Sequence, residues 1–470
     1  MTRTSGALFT SKAKDVSSMP NTEKKIRAAI YTLGCKVNSY ESIAISEKLA
    51  ENDIEICDPS EKVDICIINT CAVTAEAERK SRQIIRRMSA ISPDVYVIVT
   101  GCSAQLDPEK LLKIEGVSAV CGNREKMKVA DLAISHAQRL REKADSIHNS
   151  GAHGIICSCE LEDAPFEKMS ISSSERTRAV LKIEDGCESK CAYCIIPRLR
   201  GKIRSKAPED VVAEAKTLSE NGYREIVLTG IEVSAYAKDL GEKDGLASLI
   251  EELGKIEKIR RIRLGSLDPS AINEDFIDRV SRVSSFAPHF HLSLQSGCNN
   301  TLFSMKRRYN VETVKKRVDY IRSKIPDAMF TADIIVGFPG ETDSDFEETR
   351  AFLKSLGLLS FHIFAYSKRP GTPAADMPDQ VSSEVKSARL KSLEALREDM
   401  TGAILEKEIG KTLEVIIEEY KDSVGAVGHT ANFIEVVIEN LDKSTEDLHG
   451  KIVTAYAKSQ KNGVIFANII

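Results

Sequence analysis

Three cysteines lie within eight residues of one another in the segment GCESKCAYCIIPRLRG, residues 186–201. Cys187, Cys191 and Cys194 follow the spacing C-x3-C-x2-C, and no histidine is near them. A structural zinc site takes four protein ligands, and soft thiolates bind zinc, copper(I) or iron–sulfur clusters. A [4Fe–4S] cube held by three cysteines keeps one iron open for chemistry. We therefore predict such a cluster here, and zinc remains the alternative.

Three further cysteines each follow an apolar run that reads as a buried strand. Cys35 comes after IYTLG, Cys71 after CIINT and Cys102 after VIVTG. The carboxyl ends of parallel strands form one edge of an open sheet, where ligands bind. A helix is predicted after each cysteine, and its N-terminal dipole stabilises a thiolate. The pattern predicts a second three-cysteine site, and three buried structural thiols are the alternative.

Alternating strands and helices are predicted to position both triplets. Between the apolar runs lie SYESIAISEKLAEN and AEAERKSRQIIRRMSA, which have helical periodicity. This pattern predicts an α/β fold with an N-terminal doubly wound parallel sheet. The predicted strands are Ile26–Leu33, Val63–Ile68, Val95–Thr100 and Val117–Cys121.

A longer series of strands and helices follows a linker. Its six predicted strands indicate a partial (β/α)6 barrel, with Cys187, Cys191 and Cys194 just after the first strand. After a long helix near residues 382–407, short alternating strands predict a small antiparallel β-barrel. The predicted divisions are a disordered tail at 1–25, an N-terminal domain at 26–142, a linker at 143–176, a barrel domain at 177–407 and a C-terminal domain at 408–470.

Composition narrows the class of protein. The 470-residue chain has a net charge of −4 and no apolar run of about 18 residues, so neither a membrane span nor general nucleic-acid affinity is indicated. The first 25 residues are basic and rich in Ser and Thr without an apolar core, which argues against a secretory signal; a disordered tail is favoured over a transit peptide. We expect a reducing, cytoplasmic setting, where cysteines are more often metal ligands than disulfides.

The motifs around both triplets resemble those of the radical S-adenosylmethionine methylthiotransferases. TLGCKVNSYES, NTCAVT and TGCSAQ are similar to the N-terminal motifs of that family, and CIIPRLRGKIRS, RIRLGSLDP, HLSLQSG and DIIVGFPGET to its barrel motifs. The resemblance covers residues 27–470 and implies a methylthiotransferase domain, a radical SAM barrel and a C-terminal TRAM domain. Within the family, Lys36-Val37-Asn38 and the segment Arg307–Tyr309 resemble the branch that acts on N6-threonylcarbamoyladenosine in tRNA.

The resemblance also implies the chemistry. Cys187, Cys191 and Cys194 would hold the [4Fe–4S] cluster that binds S-adenosyl-L-methionine and releases a 5′-deoxyadenosyl radical. Cys35, Cys71 and Cys102 would hold a second [4Fe–4S] cluster that carries the sulfur, which a second S-adenosyl-L-methionine methylates. No catalytic acid or base is expected beyond the cluster ligands. Residues expected near the cofactor are Tyr193, Gly230, Ser266, Gln295 and Asp333.

The implied partner is the anticodon stem-loop of a tRNA, modified at position 37. Two basic stretches adjoin the cysteine loops and could contact phosphates, although a solvated face is the ordinary reading. These candidate RNA contacts are Arg79, Arg82, Arg86, Arg198, Arg200 and Arg204. The segment 403–470 departs from expectation, because its net charge of −4 should repel phosphate. An electron donor such as flavodoxin or ferredoxin and a monomeric state are expected.

Three other functions stay open. The enzyme could act on isopentenyladenosine in tRNA or on a ribosomal protein side chain. Alternatively, the protein could be a non-catalytic iron–sulfur protein that binds RNA or senses redox state. Reductive cleavage of S-adenosyl-L-methionine separates the enzymes from the last of these.

Overall fold

The computed structural model describes residues 25–91, 94–143, 154–157, 161, 165–174, 176–421, 424–439 and 448–470. The predicted tail, apart from Lys25, lies outside these residues. The chain divides into two compact units, residues 1–72 with 76–160 and residues 73–75 with 161–470. None of the described helices combines the length and apolarity needed to span a bilayer.

The first unit is built on a six-stranded parallel sheet with the order β2-β1-β3-β4-β5-β6. This order confirms the predicted doubly wound fold, whose topological switch lies between β1 and β3. The elements are β1 (Ile26–Thr32), α1 (Lys36–Ala50), β2 (Ile54–Ile56), β3 (Ile65–Thr70), α2 (Ala75–Ile91), β4 (Tyr96–Gly101), α3 (Cys102–Leu106), α4 (Pro108–Leu112), β5 (Val117–Cys121), α5 (Lys126–Lys143) and β6 (Ile155–Ile156).

Apolar side chains on both faces of this sheet explain why its strands read as continuous hydrophobic runs. Every residue of β3, β4 and β5 is buried, as expected of a parallel sheet covered by helices on both sides. Two strands were not predicted. The short β2 is exposed along most of its length, and β6 arises from the segment predicted to be a linker. Both lie at sheet edges, where two or three residues carry little hydrophobic signal.

The second unit contains a partial barrel of parallel strands. Strands β11, β10 and β7 form one sheet and β12, β13, β14 and β15 another, with only Gly265 between β11 and β12. The six predicted strands are therefore confirmed, with β11 and β12 counted as the one predicted strand that Gly265 interrupts. The elements are β7 (Ala179–Lys182), β8 (Glu184–Asp185), α6 (Ile196–Arg200), β9 (Arg204–Ser205), α7 (Pro208–Glu220), β10 (Glu225–Thr229), α8 (Gly245–Leu253), β11 (Arg261–Leu264), β12 (Ser266–Leu267), α9 (Glu274–Val280), β13 (His289–Gln295), α10 (Asn299–Ser304), α11 (Val311–Lys324), β14 (Met329–Val336), α12 (Asp343–Leu356), β15 (Ser360–Ala365) and α13 (Ser383–Leu405).

A closed five-stranded barrel ends the chain, in the order β16-β17-β18-β20-β19. It is the small C-terminal barrel predicted from the alternating strands, but it is not wholly antiparallel, because β18 and β20 pair in parallel. Its core contains Val415, Val436 and Ile465. The strands are β16 (Thr412–Lys421), β17 (Gly425–Thr430), β18 (Glu435–Ile438), β19 (Ile452–Lys461) and β20 (Val464–Ile469).

Candidate functional site

The three N-terminal cysteines follow three neighbouring strands of the first sheet. Cys35 precedes α1 after β1, Cys71 follows β3, and Cys102 begins α3 directly after β4. Because β1, β3 and β4 are adjacent, the cysteines lie along one sheet edge, as predicted. Cys71 and Cys102 are buried, whereas Cys35 is exposed.

Hydrogen bonds hold the three cysteine loops together. The Asn38 side chain donates to the carbonyls of Leu33 (2.7 Å) and Thr70 (3.0 Å), which joins the first loop to the second. The Ser103 hydroxyl donates to the Cys71 carbonyl (2.9 Å), which joins the second loop to the third. Asn38 and Ser103 were not predicted to position the loops, although they lie within the motifs TLGCKVNSYES and TGCSAQ.

Close packing at this edge requires a glycine before Cys35. Gly34 has φ +106°, a conformation that side chains rarely adopt, and a Cβ there would lie 3.2 Å from the Cys71 Sγ. The Cys102 Sγ accepts a hydrogen bond from the Asn123 side chain at 3.6 Å. The edge thus brings the loops of Cys35 and Cys71 into contact and provides an amide donor to the third sulfur.

The second cysteine triplet lies in one loop between β8 and α6. The Cys194 N–H donates to the Cys191 carbonyl (3.1 Å), which folds the loop back on itself. Burial is the main reason that the pKa of the Cys187 thiol rises to about 11 and that of the Cys194 thiol to about 12, and neighbouring cysteine sulfurs contribute to both of these rises. The surroundings of Cys187 and Cys194 therefore disfavour their thiolate forms.

A buried arginine reaches this loop from the segment after α10. The Arg307 guanidinium donates to the Cys191 Sγ (3.1 Å), to Asp268 (2.8 Å) and to the Ser293 carbonyl (3.0 Å). It also donates to the Tyr309 hydroxyl at 2.9 Å. Arg307 was noted in the sequence only as a branch marker. Its contact with Cys191, 116 residues earlier in the chain, depends on the fold of the barrel domain, which brings the two segments together.

Two acidic side chains were missed by sequence reasoning. Glu184 is fully buried, and its Oε2 accepts a hydrogen bond from the Glu232 N–H at 2.7 Å. Its Oε1 has no hydrogen-bond partner among the described residues. Burial raises the pKa of Glu184 well above its usual value and also raises that of Glu232. Gly230 follows β10 as predicted, and a Cβ there would lie 2.5 Å from the Glu184 Oε2.

The remaining predicted cofactor residues have mixed placements. Gln295 ends β13, as predicted, at a register shift and with φ +66°. Ser266 begins β12 instead of ending a strand, and Asp333 lies in the middle of β14, where it contacts the His291 Nε2 at 3.1 Å. Those two strand-end predictions were wrong because Gly265 interrupts one strand and β14 continues through Val336. Tyr193 packs against a small apolar cluster that includes Phe338.

The predicted RNA-contact arginines of the barrel divide into one exposed and two buried residues. Arg198 is exposed and donates to the Gly371 carbonyl at 3.1 Å. Arg200 and Arg204 are buried, and both pair with Asp185, at 3.0 and 3.5 Å. Lys182 pairs with the same carboxylate at 2.8 Å. Arg200 and Arg204 are therefore removed from the proposed RNA surface, because their charges are already used inside the protein.

The arginines of α2 remain at the surface. Arg79 is exposed and pairs with Glu76 at 2.7 Å, and Arg82 pairs with Glu78 at 2.5 Å. Arg86, one further turn along, is exposed. Exposed pairs of this kind contribute about 0.2–1 kcal/mol, so phosphates could compete for these arginines.

Comparison with known proteins matches both units to family models. Residues 181–353 match the radical SAM superfamily, and residues 27–122 match the family described as "Uncharacterized protein family UPF0004". The threonylcarbamoyladenosine tRNA methylthiotransferase MtaB of Bacillus subtilis (strain 168) is 38% identical over 90% of this chain and 92% of that protein. The chain belongs to the radical S-adenosylmethionine methylthiotransferase family. It is therefore a radical SAM transferase.

This methylthiotransferase is also similar to a second tRNA-modifying enzyme in sequence and to a radical S-adenosylmethionine methyltransferase in fold. The tRNA-2-methylthio-N(6)-dimethylallyladenosine synthase of Pelotomaculum thermopropionicum is 34% identical over 85% of this chain and 88% of its own length. The radical S-adenosylmethionine methyltransferase TsrM of Kitasatospora setae superposes with a TM-score of 0.54, covers 75% of this chain and 77% of its own, and is 14% identical. That last similarity concerns the fold alone.

The donor sets of this methylthiotransferase fit the cofactors of its family, which are [4Fe–4S] clusters and S-adenosyl-L-methionine. Among the described residues, no three Cys, His, Asp or Glu side chains are grouped so that they could hold a single metal ion. A cube differs, because each cysteine binds a separate iron and the sulfurs stay further apart. Three soft thiols in one loop, without a fourth protein ligand, suit that geometry. The unpartnered Glu184 Oε1 is a buried acceptor that suits the amino group of S-adenosyl-L-methionine.

Proposed function

We propose that this methylthiotransferase converts N6-threonylcarbamoyladenosine at tRNA position 37 to its 2-methylthio derivative. The observation that carries the proposal is the 38% identity, over 90% of the chain, to the Bacillus subtilis enzyme named for this nucleoside. The segments Lys36–Asn38 and Arg307–Tyr309, which resemble that branch, support it. We also place the reaction in the cytoplasm, where tRNA is available.

The two cysteine triplets have separate roles in this proposal. Cys187, Cys191 and Cys194 would hold the [4Fe–4S] cluster to which S-adenosyl-L-methionine binds, and the bound cofactor would supply the radical chemistry. Glu184 would accept a hydrogen bond from the cofactor's amino group, and the absence of a side chain at Gly230 avoids a clash with the Glu184 carboxylate. Cys35, Cys71 and Cys102 hold the second cluster, which carries the sulfur to be inserted.

The polar residues at the barrel strands have supporting roles. Gln295, at the end of β13, is proposed to contact the adenosine part of the cofactor, as are Ser266 and Tyr193. Asp333 is oriented by His291, at 3.1 Å, so it can accept a hydrogen bond from a ribose hydroxyl. The exposed residues Arg79, Arg86 and Arg198 and the half-buried Arg82 are proposed to contact tRNA phosphates. A flavodoxin or ferredoxin supplies the electron.

Nucleoside analysis of tRNA tests the proposed substrate. Deleting the gene should remove 2-methylthio-N6-threonylcarbamoyladenosine and leave the unmethylthiolated nucleoside in its place. Loss of the 2-methylthio form of isopentenyladenosine instead would favour the second branch, which the 34% identity to the Pelotomaculum enzyme keeps as a candidate. No change in either nucleoside would overturn the proposal.

A further inference from the structure

An aromatic ring projects into solvent from the helix that precedes Arg307. Phe303 lies in α10 and is 83% exposed. Leaving such a ring in water forgoes about 1.5–3 kcal/mol of burial free energy. Two cationic side chains, Lys306 and Arg308, follow it and are also exposed, and neither has an ion-pair partner within the described chain. An exposed aromatic ring near two cations that have no ion-pair partner among the described residues is the pattern of a nucleic-acid contact.

This aromatic and basic turn is held against the radical-cluster loop. The Met305 carbonyl accepts a hydrogen bond from the Ala192 N–H at 3.0 Å, between two cluster cysteines. The Lys306 N–H donates to the Phe303 carbonyl at 2.9 Å, which closes the turn with Lys306 at φ +59°. The exposed ring is therefore attached through backbone contacts to the loop where the radical is formed.

We propose that Phe303 stacks on an unpaired base of the tRNA anticodon loop, while Lys306 and Arg308 contact the adjoining phosphates. The inference rests on the proposed function and adds the residues that hold the substrate. Proteins recognise single-stranded RNA by stacking splayed bases on aromatic rings, and phosphates bind exposed cations. The flanking positive charges favour RNA over a neutral protein partner.

The test measures binding of an anticodon stem-loop RNA, labelled with 2-aminopurine in its loop, to the full-length reconstituted enzyme. Phe303→Ala should weaken binding about tenfold and remove the fluorescence quenching that stacking produces, whereas Phe303→Tyr should retain both. Lys306→Gln and Arg308→Gln should each lower the salt dependence of binding by about one unit of slope. Leu240→Ala, which alters another exposed apolar side chain, is the control.

The outcomes separate this proposal from the proposed function. Wild-type binding and quenching by Phe303→Ala, with normal modification of tRNA, would overturn the stacking role alone. Failure of the wild-type enzyme to modify any tRNA would instead overturn the proposed function. Unchanged RNA binding together with loss of a protein partner in Phe303→Ala would assign the ring to a protein contact. Unchanged iron content and an unchanged circular-dichroism spectrum in Phe303→Ala would show that the barrel is intact.

The contacts of Arg307 support a second, independent inference. Its side chain points into the protein, whereas that of Arg308 points into solvent. The Arg307 guanidinium contacts the Cys191 Sγ at 3.1 Å and is fixed by Asp268, Ser293 and Tyr309. Hydrogen bonds to cluster sulfurs and nearby charge set the reduction potentials of iron–sulfur clusters. A positive donor stabilises the more negative, reduced state.

We infer that Arg307 is a positioning residue that raises the reduction potential of the radical cluster through Cys191. Arg307→Gln should move the midpoint potential to a more negative value in an anaerobic titration followed by electron paramagnetic resonance. The signal that changes on adding S-adenosyl-L-methionine identifies the cluster. Cofactor cleavage should fall with dithionite and recover with titanium(III) citrate, a stronger reductant. A role limited to folding would lower iron content without this recovery.

Adjacent and conservative variants control the Arg307 experiment. Arg308→Gln makes the same change of charge one residue away and should leave the potential unchanged. Arg307→Lys keeps the charge but lacks the planar fork that reaches Cys191 and Asp268 together, so its potential should lie between wild type and Arg307→Gln. Wild-type potentials in both Arg307 variants would overturn the inference. If Arg307→Gln does not assemble its cluster, a wild-type midpoint potential in Arg307→Lys is by itself enough to overturn the inference.

Discussion

The sulfurs of the two cysteine triplets have different surroundings at the scale of single residues. Cys35 is exposed at a sheet edge, whereas Cys194 lies in a loop where burial raises the pKa of its thiol to about 12. Cys191 accepts a hydrogen bond from a fixed guanidinium, and Cys102 accepts one from the neutral amide of Asn123. These surroundings are consistent with two clusters of different reactivity.

Replacing one cysteine from each triplet should separate their roles. Cys191→Ala should abolish detectable cleavage of S-adenosyl-L-methionine, because the proposed radical cluster would lose a ligand. Cys71→Ala should leave cleavage intact while stopping sulfur insertion. Both products, 5′-deoxyadenosine and the methylthiolated nucleoside, are measured in one reaction. Equal loss of both activities in Cys71→Ala would count against separate roles.

Glu184 predicts a pH dependence of stability. Its raised pKa means that the folded protein keeps this proton where the unfolded chain has lost it, so the free energy of unfolding falls as pH rises above the ordinary glutamate pKa, about 4.3. Glu184→Gln is neutral throughout and removes this effect. The melting temperature of cluster-free Glu184→Gln, relative to wild type, should increase from about pH 5 to about pH 8. Exposed Glu188→Gln is the control, and parallel curves for Glu184→Gln and wild type would contradict the prediction.

Three short elements meet at Asp185 at the scale of secondary structure. Asp185 ends β8, Arg200 ends α6 and Arg204 begins β9, so one buried carboxylate joins the strand before the radical-cluster loop to the elements after it. The backbone pairing of Asp185 with Arg204 reinforces the same junction. The cysteine loop is thus closed at its base by an ion cluster.

Neutralising Asp185 should destabilise this junction strongly. Asp185→Asn leaves Lys182, Arg200 and Arg204 buried without their shared counter-charge, which should cost about 3–5 kcal/mol of unfolding free energy. Chemical denaturation measures the loss. Asp319→Asn, which breaks an exposed pair with Lys315, should cost less than about 1 kcal/mol. A similar small loss in both variants would show that the buried cations are solvated or paired elsewhere.

Within the second unit, the acidic C-terminal barrel packs on basic residues of the radical barrel. Arg261 donates to the carbonyls of His429 (3.0 Å) and Glu414 (2.9 Å), and Arg178 pairs with Glu418 at 3.1 Å. Phe433 stacks on His289 at 4.5 Å between ring centroids. Part of the negative charge that was unexpected for an RNA-binding domain therefore serves contact within the chain.

Removing the Phe433 ring should loosen the C-terminal barrel. The ring also lies within cation–π distance of Arg178 and Arg263, at 5.2 and 5.1 Å. Phe433→Ala should lower the free energy of unfolding by about 1–3 kcal/mol and increase cleavage by protease near residues 406–411. Phe433→Tyr keeps the ring and should resemble wild type. Unchanged proteolysis in Phe433→Ala would show that the polar contacts suffice.

The sequence by itself determined the family, both cysteine triplets and the order of the three folds. Each cysteine loop follows a strongly apolar strand, and this local signal requires no knowledge of distant contacts. Motif spacing likewise identified Gly230 and Gln295 as residues at strand ends, because turns and glycines are specified locally.

Only the tertiary structure decided which charges face solvent and which polar groups meet the sulfurs. The sequence does not distinguish Arg200 and Arg204 from Arg198, but in the structure the first two are buried and pair with Asp185. Arg307 contacts Cys191, although the two residues are 116 positions apart in the sequence. The reason is physical, because side-chain periodicity reports burial along one element, whereas pairing and charge compensation depend on the elements that the fold brings alongside it.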